Sequence, residues 1–354
     1  MSSYVVKKEQ SSNIFQRKIY GSYGKLTFGD IFMGVKTKIM AMCAVLSVIM
    51  PLLFINMMAK VLKPIPIEEK KESETRKEKQ SLNVSVLDQS GNVVSMEFND
   101  YLLGVLLCEM PADFEMEALK AQAVAARTYA LRRLYAGDKH DDAAVCMDSS
   151  CCHGYISPKE YQKNGGTKES VERMQTAVEE TDSEVLLYQG ELIEATYFSC
   201  SGGMTEDAVA VWGTEIPYLQ SKESPGEEQA THYTDTLQFS KSEISERLGV
   251  TLTGDSNTWF KIKSYTDGGG VDVIEVCGVA FTGVEIRKKL NLRSTIFTIT
   301  AIGDTVTITT KGYGHRVGMS QYGAEAMALQ GYGYQEILRY YYEGTDLSRI
   351  PANN

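Results

Sequence analysis

The chain's patterning predicts an α+β fold behind a single N-terminal membrane span, and three observations carry that expectation. Stretches of helical spacing and stretches of strand-like alternation follow one another without the regular alternation of a parallel βαβ sheet. Residues 39–59 hold no charged side chain, and 21 residues at about 1.5 Å each cover roughly the 30 Å of a bilayer's hydrocarbon layer. An apolar fraction of 43% with only eight prolines in 354 residues lets the remainder bury a sizeable core.

From the N-terminus, residues 1–38 carry Lys7, Lys8, Arg17, Lys18, Lys25, Lys36 and Lys38 against Glu9 and Asp30, so the positive-inside rule places this tail in the cytoplasm. Residues 39–59 lie too far from the start and run too long for a cleaved signal. They read as an uncleaved transmembrane anchor with Pro51 as a tolerated kink. Residues 60–80 mix both charges without apolar periodicity and read as a solvated stalk. Residues 81–354 are then extracytoplasmic. The formal net charge of −10, with the basic excess confined to the tail, excludes a basic nucleic-acid surface.

Within residues 81–354, Leu82, Val84 and Val86 alternate with polar neighbours before a turn at residues 89–92, as in a hairpin strand. Leu102, Leu103, Val105, Leu106 and Leu107 form an apolar approach that Pro111 stops. Asp113 is placed to cap a helix over residues 113–136, whose narrow face is Leu119, Ala123, Ala126, Ala130 and Leu134. Strands are expected at 185–188, 192–198, 271–276, 297–301 and 306–310, with turns at Gln189-Gly190 and Gly303-Asp304. Helices are expected at 170–180, 241–248, 284–290 behind a Thr282/Glu285 capping box, 321–329 and 334–342.

Three groups of residues can carry chemistry. Glu109 precedes Pro111 at the corner between two helical segments, where a carboxylate can be half-buried yet face a cleft; most glutamates near helix ends are simply solvated. His140, Cys146, Cys151, Cys152 and His153 place five potential metal ligands within fourteen residues. Mixed thiolate and imidazole suit zinc, while an extracytoplasmic Cys146 could instead form a disulfide with Cys151 or Cys152. Cys277 reads as a small buried strand residue, and Cys108 and Cys200 as free thiols or as a mutual bridge. Two glycine-rich segments complete the set. Tyr197 to Gly203 with Trp212, and Gly312 to Ala324, supply aromatic faces and polar rims of the kind a polysaccharide groove needs.

The string EMPADFEMEALKAQAVAARTYAL around Glu109, the block YFSCSGG with Val211-Trp212-Gly213, and the block GYGHRVGMSQYGA resemble the stage II sporulation protein D family of membrane-anchored lytic transglycosylases. The resemblance runs from about residue 100 to 344. Cys200 and Arg316 depart from it, standing where serine and glycine are usual.

That resemblance implies a catalytic acid at Glu109 and a groove lined by Tyr197, Ser199, Ser201, Gly202, Trp212, His315, Gln321 and Tyr322. Gln122 and Arg127 would orient the acid or substrate, with a surface pair as the alternative. It implies a structural zinc on His140, Cys146, Cys151 and Cys152, with His153 competing with Cys151 for one place. The implied substrate is peptide-free peptidoglycan glycan, cut between N-acetylmuramic acid and N-acetylglucosamine during endospore engulfment, with partners equivalent to the sporulation proteins P, an amidase, and M. The competing expectations are a non-catalytic amidase enhancer that binds glycan, and a metallohydrolase centred on the cysteine cluster.

Overall fold

The chain enters the described region, residues 82–137 and 139–350 of a computed structural model, through an antiparallel hairpin of Asn83–Leu87 and Val93–Glu97. Asp88 closes its turn by accepting the N–H groups of Ser90 and Asn92, while Val84 and Val86 are fully buried. The expected cytoplasmic tail, the membrane span at 39–59 and the whole stalk at 60–80 lie outside the described residues. Among those described, no helix is long and apolar enough to cross a membrane.

The first helix among the described residues, Phe98–Glu109, is capped by Glu97, whose carboxylate accepts the Asp100 N–H at 2.9 Å. It stops where expected. Met110 is extended at φ −121°, ψ 140°, as suits the residue before a proline. The next helix departs from expectation at its start, beginning at Met116 with Glu115 in the cap position and not with Asp113. Residues 111–115 form a separate turn, with Phe114 N–H donated to the Pro111 carbonyl.

This Ala-rich helix, Met116–Ala136, is buried on every side from residue 121 to residue 131, so the expected narrow face is only part of its contact surface. Its small side chains let Lys168–Glu180, Glu184–Tyr188, Gln321–Leu329 and Tyr334–Tyr341 all pack against it. Thr128 fastens one of them directly by accepting the Leu186 N–H at 3.0 Å. The helix is therefore the axis of the main core.

A second core occupies residues 234–311, centred on the buried Trp259, Ile274, Val276, Ile286 and Ile308. It is built from two three-stranded antiparallel sheets, ordered Val279–Thr282, Val271–Val276, Phe260–Tyr265 and Ile296–Ile302, Thr305–Lys311, Thr234–Ser240. Helices Lys241–Leu248 and Gly283–Leu290 complete it, the latter behind the expected Thr282/Glu285 capping box. Cys277 is not within a strand. It sits at φ +46° before Gly278 at φ +85°, in the two-residue turn of a hairpin.

Two short pairings bring distant sequence together. Tyr197–Phe198 runs parallel to Met319–Ser320, and isolated bridges join Cys200 to Tyr313 and Glu206 to Val317. Val145–Cys146 pairs parallel to the first strand, through Val86 with Val145 and Leu87 with Cys146. The expected strand at 192–198 is interrupted, with only Glu191–Leu192 and Tyr197–Phe198 in sheets.

Candidate active site

Glu109 is the last residue of the Phe98–Glu109 helix, half-buried, and its Oε1 accepts the Gly154 N–H at 2.6 Å. The Gln321 amide lies beside the same carboxylate. Burial drives the Glu109 pKa above the ordinary carboxylate range, against the opposing pull of the Gly154 N–H and the Gln321 side chain. The approach of Gly154 leaves no room for a side chain unless its neighbours shift. A Cβ there would lie 2.8 Å from Cys108 Sγ and 2.9 Å from Glu109 Oε1.

Glu109 opens into a groove of about 570 Å³ whose walls include Tyr129, Arg133, His153, Glu194, Tyr197, Trp212 and His315. Trp212, 43% exposed at the end of Ala208–Trp212, sets its ring 5.5 Å from that of His315. His153 is buried among aromatic rings, with Nδ1 2.9 Å from the Tyr101 hydroxyl and its ring stacked on Tyr197 at 5.7 Å. Burial lowers the pKa of His153 to about 3 and that of His315 to about 4, so both are neutral at neutral pH.

The groove's second carboxylate, Glu194, was not singled out in the sequence. It is ion-paired with Arg132, 3.1 Å from Nε, and with Arg133. Its charge is therefore met by two guanidinium groups, whereas the hydrogen-bond partner of the Glu109 carboxylate is the neutral Gly154 N–H. Tyr129 was also missed, and nothing in its helical spacing separates a groove residue from a core residue.

Several expected groove residues have other partners. Ser201 is fully buried, its N–H and Oγ donated to Glu227 Oε2 at 2.6 and 2.8 Å, and the Gly202 N–H joins them at 3.1 Å. Gly202 serves a close approach of backbones, since a Cβ would meet the Lys311 carbonyl carbon at 2.9 Å. The Ser199 carbonyl accepts the Tyr322 N–H, and the Tyr322 ring packs edge-on against Phe114. Arg127 does not line the groove. Its guanidinium is buried on the Val178 and Glu184 carbonyls and Thr181 Oγ1, holding the end of Lys168–Glu180 to the following strand. Gln122 is fully buried in the same helix, and no partner is present for either amide atom.

The metal candidates His140, Cys146, Cys151 and Cys152 converge, their ligand atoms all within 4.8 Å of one another. His140 Nε2 lies 3.4 Å from Cys152 Sγ and 3.8 Å from Cys151 Sγ. Bonds of about 2.0 Å to nitrogen and 2.3 Å to sulfur give tetrahedral ligand separations of about 3.5–3.8 Å, so this donor set fits zinc. His153 stands apart from the cluster, with Nδ1 on Tyr101. All six cysteines of the described residues are free, so neither a Cys146 bridge nor a Cys108–Cys200 bridge is formed. Cys151 and Cys152 also line the Glu109 groove, and Gly154 follows two residues later.

Comparison with known proteins gives a family model described as Stage II sporulation protein, which matches residues 88–188 and so includes Glu109 and the cysteine cluster. The chain is 39% identical over 265 residues to stage II sporulation protein D of Bacillus subtilis (strain 168), covering 74% of this chain and 77% of that protein. It is 38% identical over 291 residues to the protein of the same name from Bacillus amyloliquefaciens, covering 81% and 84%. It is also 32% identical over 301 residues to the amidase enhancer of Bacillus subtilis (strain 168), covering 70% of this chain and 40% of that relative.

Proposed function

The chain belongs to the stage II sporulation protein D family, and from that premise we propose that it is a lytic transglycosylase acting on peptidoglycan during endospore engulfment. The observation that carries this reading is the environment of Glu109: a half-buried carboxyl with a raised pKa, in a groove whose other carboxylate is held by two arginines. A single acid then has to act twice. The neutral Glu109 protonates the oxygen between N-acetylmuramic acid and N-acetylglucosamine, and the resulting carboxylate removes the proton from the muramyl 6-hydroxyl. That oxygen closes on C1 to give a 1,6-anhydro ring in place of water attack. The substrate's acetamido group supports the oxocarbenium-like centre, which removes the need for a second carboxylate.

The Gly154 N–H occupies one carboxyl oxygen and leaves the other to carry the transferable proton. Trp212 and His315 offer ring faces for sugars beside it. Zinc is the proposed ion for the cysteine cluster, held by His140, Cys146, Cys151 and Cys152. Four protein ligands leave no position for water, so the ion would supply support to the loop and not hydrolysis.

The proposal extends to residues 39–59 as a membrane anchor with the tail in the cytoplasm. It also includes peptide-free glycan as the substrate, and partners equivalent to the sporulation proteins P and M. The likeness to the amidase enhancer favours a second reading, a glycan-binding domain without cleavage. Mass spectrometry of peptide-free glycan strands incubated with the purified full chain, or with Glu109→Gln, separates them. Anhydromuramyl ends from the native chain alone support the transglycosylase. Reducing ends indicate a hydrolase, and binding without cleavage indicates the enhancer reading.

A further inference from the structure

Arg316, the residue after His315, has a fully buried side chain and a backbone at φ +67°. Its Nη2 donates to Glu206 Oε2 at 3.1 Å and to the Gly268 carbonyl at 2.7 Å. Glu206 is equally buried and receives two groups from the 234–311 module, the Thr266 hydroxyl at 2.6 Å and the Gly268 N–H at 3.2 Å. No side chain fits at this contact, since a Cβ on Gly268 would lie 2.4 Å from the Thr205 carbonyl oxygen. Glu206 in turn immediately precedes Asp207, the cap position of the Ala208–Trp212 helix. One ion pair therefore joins three segments: the helix ending in Trp212, the loop carrying His315, and the module's turn at residues 266–270.

The other face of that short helix also meets the module. Val209 and Val211 line a cleft of about 250 Å³ closed by Val271, Gly283 and Thr295, with Glu206 at its wall. The Gly314 N–H, just before His315, is donated to the Arg293 carbonyl of the module at 3.0 Å. The segments that carry Trp212 and His315 thus each meet the 234–311 module, through the Glu206 contacts and the Gly314 N–H respectively.

We propose that Glu206 and Arg316 are positioning residues, a latch through which the 234–311 module sets the Trp212–His315 wall and hence the groove's hold on substrate. Neither lines the Glu109 groove. A buried ion pair contributes little net stability once desolvation is counted, but it has one favourable geometry, which suits registration of a module against a site. The substrate arm of this proposal rests on the glycan reading of the groove; the Trp212 arm does not.

The test uses the full chain with Arg316→Gly, which relieves the positive φ and removes the charge while leaving Glu206 its donors from the module. Thr266→Ala, a milder change that leaves the ion pair in place, serves as the second variant should Arg316→Gly fail to fold. The chain's two tryptophans are Trp212 and the buried Trp259, so acrylamide quenching of fluorescence reports chiefly on Trp212. Increased quenching and a KM for peptide-free glycan raised about tenfold, with kcat within about threefold, are expected for Arg316→Gly, and a smaller change of the same sign for Thr266→Ala. Unchanged quenching and KM in folded variants overturn the latch, as does an equal fall of kcat and kcat/KM. If the native chain cleaves no glycan, the functional reading fails while the change in Trp212 quenching still decides the latch.

Discussion

Gly154 donates its backbone N–H to Glu109 Oε1 at 2.6 Å, which ties the loop bearing Cys151 and Cys152 to the carboxyl proposed to do the chemistry. The contact exists because a corner helix ends at Glu109 and because residue 154 has no side chain to hold the loop away.

Gly154→Ala therefore tests the positioning of the acid. The new methyl would press on both Cys108 Sγ and Glu109 Oε1, and a displacement near 1 Å at a reacting group costs on the order of 100-fold in rate. We expect kcat on peptide-free glycan to fall by that order with KM little changed, measured by steady-state release of anhydromuramyl ends. Unaltered kcat in a folded variant would remove Gly154 from the account.

Glu109 should also leave a pH signature. Its folded pKa is raised by burial above the unfolded value, so its contribution to stability is fully present below the unfolded pKa of about 4.3 and is lost as pH rises through the folded pKa. Glu109→Gln is thus expected to abolish cleavage and to raise the melting temperature relative to the native chain at pH 8, but not at pH 4. In the native chain, kcat/KM should decline as pH rises through the same folded pKa, because the proton donor is then empty.

Removal of zinc provides a third check. Mass spectrometric metal analysis is expected to find about one zinc per chain, and chelation or Cys146→Ser should lower the melting temperature by more than about 5 °C, since ligand bonds contribute directly to folding free energy. Cleavage should fall in parallel with the loss of loop order. Persistence of full cleavage after complete zinc removal would separate the metal from the groove.

Glu194 offers the converse test. Its carboxylate is committed to Arg132 and Arg133, so Glu194→Gln is expected to keep cleavage within about tenfold of native and to cost about 1 kcal/mol of stability, as partly exposed pairs do. Loss of cleavage comparable to that of Glu109→Gln would point to a two-carboxylate mechanism.

Local signals made much of the fold legible. Pro111 ends the helix before it, the Thr282/Glu285 box opens the helix behind it, and helices 241–248 and 321–329 lie at the expected residues. Asp113 misled because any short polar residue near a proline resembles a cap, and here residues 111–115 make their own turn. The spacing of the Ala-rich helix shows one face where the fold buries all of them, because alanine marks close approach without saying how many neighbours approach. Glu206 and Glu227 gave no signal, since a buried carboxylate is distinguished from a surface one only by donors supplied from distant segments, and the half-buried Glu194 gave none because its partners Arg132 and Arg133 lie about 60 residues away.

What the sequence determined by itself is where the helices break and which reactive side chains are concentrated nearby: Glu109 at its corner, and the histidine and cysteines within one loop. These follow from backbone sterics and residue spacing, which act over a few positions. Only the tertiary structure decided who shares the groove. The two-residue pairing of Tyr197–Phe198 with Met319–Ser320 joins segments about 120 residues apart and sets Ser201 on Glu227, Arg316 on Glu206 and Trp212 beside His315. Such contacts depend on the register of strands and the packing of two cores, which no local propensity specifies.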